Sequence, residues 1–219
     1  MRRARTSRGF SLVELAISVA LMGLVTGGML MVFDSTNRAF QSATASIELS
    51  RAAHRTVDRL SELVSFSRRS SMTPAAPGAQ SPFSTKQVSF QTVDGFVGGI
   101  AAWSNTQRLE FQYSPFDPND GVDNDHNGVV DDGMVVWTTD LGLPEERSVV
   151  LARNVRELQI REKQNGADDN GNGLIDESGL SFDFQGERLV IRLTLERVLN
   201  RRRLTYSAER SITFRNNGP

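Results

Sequence analysis

The chain has 219 residues, no cysteine and a formal net charge of −1 at pH 7, with 25 basic and 26 acidic side chains. This length is enough for one domain behind an N-terminal helix. The arginines are not interleaved with aromatic residues, so the composition argues against a nucleic-acid partner. The sequence contains no Ser/His/Asp set, no G-x-S-x-G and no glycine-rich phosphate loop. We therefore expect neither an enzyme nor a small-molecule substrate.

The first element is a basic leader, Met1–Gly9, followed by an apolar run from Phe10 to Phe33 that only Glu14 interrupts. A basic flank stays in the cytoplasm while an apolar run enters the bilayer. At about 1.5 Å per helical residue the run would span roughly 36 Å, enough for a hydrocarbon core of about 30 Å. Residues 1–9 are thus predicted to be a leader and residues 10–33 a transmembrane helix. The leader carries four arginines and no acid: Arg2, Arg3, Arg5 and Arg8.

Glu14 is a lone carboxylate at membrane depth. Such a group is costly and usually marks a functional site with a partner. If the leader were removed, the new amine of Phe10 on a neighbouring subunit would be a suitable cation. The alternative is that Glu14 extends to the lipid headgroups from near the helix end and has no assembly role.

The segment Gly9-Phe10-Ser11-Leu12-Val13-Glu14-Leu15 resembles the processing signal of type IV prepilins and type II secretion pseudopilins. The resemblance implies that a prepilin peptidase cuts after Gly9 and methylates Phe10, and that Glu14 guides the subunit into a fibre of pilins or pseudopilins through the N-terminal helix. It also implies a single-pass protein of the bacterial inner membrane with its head in the periplasm, and later a place in a pilus or pseudopilus. Many major pilins have a proline in the buried helix; here none precedes Met72, which favours a minor subunit.

Residues 34–71 continue the helical pattern as an amphipathic segment, with the helix expected to end near Ser67. Apolar residues recur every seven positions, which predicts a stripe packed on a globular head. His54 falls on this stripe and is expected to be packed or partly buried and not a ligand. The stripe comprises Phe33, Phe40, Ile47 and His54, with Ala43, Val57, Leu60 and Val64 on or near it.

A proline-rich break, Met72–Pro82, ends the helical pattern, and the apolar period then becomes two. The predicted strands are 88–93, 109–113, 134–139, 155–161, 180–184, 189–199 and 204–214. A helix followed by strands is an α+β pattern. We expect a pilin fold, in which a long N-terminal transmembrane and amphipathic helix packs on an antiparallel β-sheet head over residues 83–219. Arg201–Arg203 are expected in a solvated hairpin turn.

Two acidic loops repeat the pattern G-x-D-x-[DN]-x-N-G-[VL]-[VI]-D-[DE], within residues 117–133 and 166–179. Oxygen ligands at alternate positions around a glycine turn suit a hard cation, so we predict calcium, up to two ions. Magnesium prefers fewer protein ligands, and zinc is disfavoured without cysteine. His126 is expected to face outward, and Asp117 and Asp120 are weaker candidates. The candidate ligands are Asp123, Asp125, Asn127, Val129 (carbonyl), Asp131 and Asp132, and Asp168, Asn170, Asn172, Leu174 (carbonyl), Asp176 and Glu177.

Two alternatives stay open. The loops could be metal-free Asn-Gly and Asp-Gly turns, although two copies with one spacing argue against that. The chain could also be a membrane-anchored periplasmic enzyme, calcium-binding protein or adhesive protein that is not built into a fibre. The segments 151–160, 189–195 and 210–216 are similar to PilW-like minor pilins and J-type minor pseudopilins, which implies a subunit at the fibre tip that helps to start assembly.

Overall fold

The computed structural model describes residues 11–74, 83–185 and 188–214. The chain divides into two compact units, Met1–Thr44 and Ala45–Pro219. The leader and both predicted processing residues, Gly9 and Phe10, lie outside the described residues. One 54-residue helix, α1 (Leu12–Ser65), contributes to both units.

In the first unit, every described apolar side chain of α1 is exposed. Leu12 is 86% exposed and Phe33 is 73% exposed. By length and composition this part of the helix is apolar enough to cross a membrane. A continuous exposed apolar surface of this kind needs lipid or another protein to cover it.

In the second unit, α1 ends at Ser65, slightly before the predicted end near Ser67, and a 3₁₀ turn covers Arg69–Ser71. Ten strands follow within the described residues. Their bounds are β1 Phe83–Thr85, β2 Gln87–Phe90, β3 Val93–Val97, β4 Ile100–Trp103, β5 Gln107–Tyr113, β6 Gly133–Thr139, β7 Arg147–Val155, β8 Leu180–Gln185, β9 Arg188–Leu199 and β10 Arg202–Thr213.

Eight strands form one antiparallel sheet in the order β1-β8-β9-β7-β6-β5-β2, with β10 also paired to β9. Strands β3 and β4 form a separate hairpin. The long apolar helix followed by an antiparallel sheet confirms the predicted α+β, pilin-like fold class. Neither β1 nor the β3–β4 hairpin was predicted from the sequence; the hairpin is short and carries exposed apolar residues at its tip.

Strands β7 and β8 share one edge of β9. Because β10 pairs with β9 along its whole length, β7 and β8 both use the opposite edge, and they run in the same direction. Val155 of β7 pairs with Leu195, and Leu180 of β8 pairs with Leu193. Between them, Arg156 donates its N–H to the Thr194 carbonyl, and Thr194 donates to the Gly179 carbonyl. The chain from 157 to 178 therefore interrupts what is otherwise one long strand.

This arrangement corrects the predicted strand 155–161. The strand occupies Arg147–Val155 instead, and the chain leaves the sheet at Arg156. It cannot continue along β9, because β8 already occupies the next positions on that edge. The alternating pattern of residues 155–160 indicated a strand, but it belongs to a segment that turns away from the sheet.

The predicted helical stripe is confirmed at its end, where Val57, Leu60 and Val64 are buried, but it is wrong for the earlier heptad positions. The buried apolar residues of α1 recur at intervals of three or four, and they pack against buried residues of the sheet in one core that includes Phe90, Phe182 and Ile191. Phe40 and Ile47 are exposed. His54 is also exposed, and its Nε2 is hydrogen-bonded to the hydroxyl of Tyr206 at 2.8 Å. The buried apolar residues of α1 are Ala45, Leu49, Ala53, Val57, Leu60 and Val64.

The predicted β9–β10 hairpin is confirmed, with a two-residue turn at Asn200 and Arg201. Both residues have positive φ, at 51° and 63°, as a type I′ turn requires. Arg202 and Arg203 lie in β10 and not in the turn. Arg203 is also not purely solvated, because its guanidinium lies 3.1 Å from a carboxylate oxygen of buried Glu196.

Candidate functional site

The first candidate site is the start of α1. Ser11 Oγ accepts the N–H of Val13 at 3.2 Å, and Glu14 Oε2 accepts the N–H of Ser11 at 3.0 Å. This reciprocal arrangement is a capping box, which satisfies backbone donors that a helix start leaves free. Glu14 thus has a partner in its own first turn. The spacing Ser-x-x-Glu could have indicated this contact from the sequence.

The second candidate site consists of two loops whose backbones form equivalent hydrogen bonds. Loop 1 (residues 114–132) joins β5 to β6, and loop 2 (residues 159–177) joins β7 to β8. The same backbone hydrogen bond closes each base: Ser114 N to Asp132 O at 3.0 Å, and Gln159 N to Glu177 O at 2.9 Å. Each pair is related by 45 residues in the sequence. The repeat therefore begins seven residues upstream of the sequence pattern that revealed it.

The first acid of each pattern accepts backbone N–H groups from residues further along its own loop. Asp123 accepts the N–H groups of Asn127 at 3.1 Å and Gly128 at 2.9 Å. At the equivalent place Asp168 accepts those of Asn172 at 3.2 Å and Gly173 at 2.7 Å. These bonds lower the pKa of Asp168, since backbone donors stabilise the ionised form.

The penultimate acids of the two patterns, Asp131 and Asp176, close the other side of each loop. Asp131 accepts the N–H groups of Asp120 and Gly121, and Asp176 accepts those of Asn165 and Gly166. Both acids have positive φ, at 52° and 50°. The two loops thus repeat the same local conformation in detail.

The asparagine just before the central glycine of each pattern, Asn127 or Asn172, connects the loop to its last acid. Asn127 Oδ1 accepts the N–H of Val129 at 2.7 Å, and Asn172 Oδ1 accepts that of Leu174 at 2.8 Å. Their amide groups donate to Asp132 and Glu177, respectively. The side chains of Val129 and Leu174 are buried. In each predicted ligand set, this asparagine is therefore in contact with the last acid.

The remaining predicted ligands are nearby but point partly to solvent. Asp125 Oδ1 and Asn170 Oδ1 each accept the N–H of the asparagine two residues later, at 3.0 Å. His126 Nδ1 lies 3.1 Å from the Asn124 carbonyl oxygen. In the described part of the chain no group of three or more His, Asp or Glu side chains is arranged to hold a metal ion. Amide and carbonyl oxygens would have to complete any such site.

One further acid enters each loop from the preceding turn, and the two loops differ here. Asp117 is fully buried, and its two oxygens accept the N–H groups of Asn124 at 2.8 Å and Asp132 at 2.9 Å. Its counterpart Glu162 is 3% exposed. Glu162 Oε1 accepts the N–H of Asn170 at 3.0 Å, but Oε2 has no hydrogen-bond partner. The sequence pattern favours Asp117 only weakly as a ligand and does not indicate Glu162.

The last acid of loop 2, Glu177, also leaves one oxygen unpartnered. Glu177 is 2% exposed, and the oxygen without a hydrogen-bond partner is Oε2. Burial raises the pKa of the Glu162 carboxyl, and the nearby Glu177 carboxylate raises it further. In loop 1, burial raises the pKa of Asp132 to about 6, with a further contribution from Asp125. Buried carboxylates that repel one another are costly unless a cation or a proton neutralises them.

Two neighbours hold the base of loop 2 in place. Buried Gln159 donates its amide to the carbonyls of Ser178 and Gly179, each at 3.1 Å. Just before it, Glu157 accepts the hydroxyl of Tyr113 at 2.9 Å. Since Tyr113 ends β5 at the base of loop 1, this bond connects the bases of both loops at one end of the sheet.

Comparison with known proteins bears on the first site. Residues 4–30 match the prokaryotic N-terminal methylation motif, whereas no curated protein and no solved structure matches the chain. The match covers Gly9, Phe10 and Glu14 but not the head. A motif of this prepilin type implies processing by a prepilin peptidase, membrane anchoring and a structural, non-enzymatic role in assembly with pilins. Together with the exposed apolar helix, it supports a type IV pilin-like or pseudopilin-like protein.

Proposed function

We propose that this chain is a minor subunit of a type IV pilus or a type II secretion pseudopilus, located at the fibre tip, where it helps to start assembly. The match of residues 4–30 to the methylation motif carries the proposal. After cleavage between Gly9 and Phe10, the exposed apolar part of α1 moves from lipid into a bundle of like helices. The helix contains no proline, which supports the minor class.

The N-terminus of the mature protein tests the processing step. Mass spectrometry should find methylated Phe10 as the first residue. Replacing Gly9 with leucine should leave an unprocessed, slower-migrating precursor in the inner membrane. An intact leader on the wild-type protein, or a cut after the apolar run, would instead indicate a membrane-anchored protein outside any fibre, such as a periplasmic calcium-binding or adhesive protein.

The capping box allows the charge of Glu14 to be separated from its role at the helix start. Glu14→Gln keeps an oxygen that can accept the Ser11 N–H but removes the charge. Ser11→Ala keeps the charge but removes the hydroxyl cap. We expect the glutamine variant to be cleaved normally yet to be lost from fibres, because docking needs the carboxylate. The alanine variant should be incorporated. If Glu14→Gln were incorporated into fibres and Ser11→Ala were not, Glu14 would only cap the helix.

We also propose that the acidic loops of the head bind calcium, with up to two ions. The shared conformation of the two loops supports this proposal, because each directs several carboxylate and amide oxygens into a short turn. The chain has no disulfide that could order these loops, since it has no cysteine. A bound ion would stabilise the head by about 2.7 kcal/mol at 100 times its dissociation constant.

Thermal unfolding of the purified protein in detergent tests calcium binding. Sites of extracellular type bind calcium at about 10⁻⁴ to 10⁻³ M, so millimolar calcium should raise the thermal midpoint of the head. Magnesium at the same concentration should raise it less. If neither thermal unfolding nor isothermal titration responds to calcium, the loops are metal-free turns, and the proposed filament role is unaffected.

A further inference from the structure

We infer that loop 2 is the tighter of the two calcium sites and that Glu162, from the turn before the loop, is one of its ligands. This inference rests on the proposed calcium binding and assigns it unequally to two loops that look equivalent in sequence. The geometry assigns the difference to two carboxylates, Glu162 and Glu177, which replace Asp117 and Asp132 of loop 1.

The replacements add one methylene group at each of the two equivalent positions. In loop 1 the shorter Asp117 stays against the backbone, and both of its oxygens accept N–H groups. In loop 2 the longer Glu162 uses one oxygen for the N–H of Asn170 and leaves the other without a partner. Glu177 likewise contacts the amide of Asn172 with Oε1 and leaves Oε2 free.

The two unpartnered oxygens belong to the base and the preceding turn of loop 2. Each belongs to a carboxylate whose other oxygen is hydrogen-bonded to the loop itself. Both residues are almost fully buried, so water cannot easily replace the missing partners. An unpartnered buried carboxylate oxygen is unfavourable, and among the described residues no lysine or arginine forms an ion pair with either of these carboxylates.

A calcium ion bound at loop 2 would supply the partner that these oxygens lack. Calcium accepts six to eight oxygen ligands in flexible geometry, including carboxylates, amide and backbone carbonyls, and water. Two carboxylates with oxygens of the loop asparagines and carbonyls make such a set without a third acid at close range. In loop 1 the corresponding carboxylate, Asp117, is already occupied by backbone donors. Loop 2 therefore gains more from an ion than loop 1 does.

Isothermal titration of the full-length protein in detergent with calcium chloride tests the inference, using Glu162→Gln and its matched control Asp117→Asn. Glutamine is nearly the same size as glutamate but carries no charge. We expect Glu162→Gln to weaken the tightest calcium site at least about tenfold, and Asp117→Asn to leave that site unchanged.

Thermal unfolding adds a readout that a purely structural role would not produce. With a chelator present, Glu162→Gln should melt higher than the wild type, because it removes one of two repelling buried charges. In saturating calcium the order should reverse, because only the wild type gains the full set of ligands. A fold defect would instead lower the midpoint under both conditions, and Glu177→Gln should then provide the same test.

Three results would overturn the inference, and they differ in what else they overturn. Unchanged calcium affinity in Glu162→Gln would remove Glu162 as a ligand while calcium binding itself stood. Loss of the tightest site in Asp117→Asn alone would assign that site to loop 1. No calcium binding by the wild type would remove both the inference and the proposed calcium sites, but not the filament role.

Discussion

The two parts of α1 are continuous in backbone but opposite in environment. Before Thr44 every described apolar side chain is exposed, whereas from Ala45 onward one face of the helix is buried in the core of the head. The head therefore supplies a partner for the second part of the helix, and within the described residues nothing covers the apolar surface of the first. Apolar residues of one helix can thus serve intramolecular stability in one part and contacts outside the chain in another.

The largest expected effect comes from matched leucines in the two parts of the helix. Leu60 is fully buried, whereas Leu24 is 75% exposed. Leu60→Ala should destabilise the head by about 2–5 kcal/mol, because it leaves a cavity in a packed core. Leu24→Ala should change the stability of the head by no more than about 0.5 kcal/mol. Urea unfolding in detergent, followed by tryptophan fluorescence, measures both; a similar loss in both variants would contradict the comparison.

A smaller effect is expected from matched glycines. A Cβ atom on Gly179 would lie 1.7 Å from the carbonyl oxygen of Arg156, whereas one on Gly23 would meet nothing within 4 Å. Gly179→Ala should therefore cost about 1–3 kcal/mol through overpacking. Gly23→Ala should favour the helix by up to about 1 kcal/mol. Thermal midpoints of the two variants in detergent give the comparison, and an unchanged midpoint for Gly179→Ala would show that the base of loop 2 can adjust.

The smallest effect is expected at the exposed ion pair between Asp34 and Arg38. These residues lie one helical turn apart, with side chains 59% and 70% exposed and 2.7 Å between the charged atoms. Exposed pairs of this type contribute about 0.3–0.5 kcal/mol. Arg38→Ala should thus leave the unfolding midpoint of the head unchanged within error. A clear loss of stability would mean that this part of the helix contributes to the head after all.

The sequence predicted the fold class because the two apolar periods are strong and well separated. It predicted the buried face of the helix only from Val57 onward. Residues Phe40, Ile47 and His54 share a face by spacing, but which face is buried depends on where the sheet lies. The buried residues that the pattern missed include Ala45 and Ala53, which are small and less conspicuous in the sequence.

At the loops the sequence predicted the repeat but placed its start too late. The pattern from Gly121 and Gly166 onward is easy to align because its residue types are nearly identical. Asp117 and Glu162 differ in type, so an alignment by identity ends before reaching them. Applying the same 45-residue offset further upstream would have paired them. That Glu162 leaves an oxygen unpartnered depends on side-chain reach, which spacing alone does not reveal.

Because β7 and β8 follow one another along the same edge of β9, the segment that contains loop 2 is an insertion between them. If residues 157–179 were excised and Arg156 were joined to Leu180, Val155 would still face Leu195 and Leu180 would still face Leu193. The order of the strands in the sheet would be unchanged. During evolution, a head of this kind could therefore gain, exchange or lose its second acidic loop as a unit, with the pairing of the sheet unchanged.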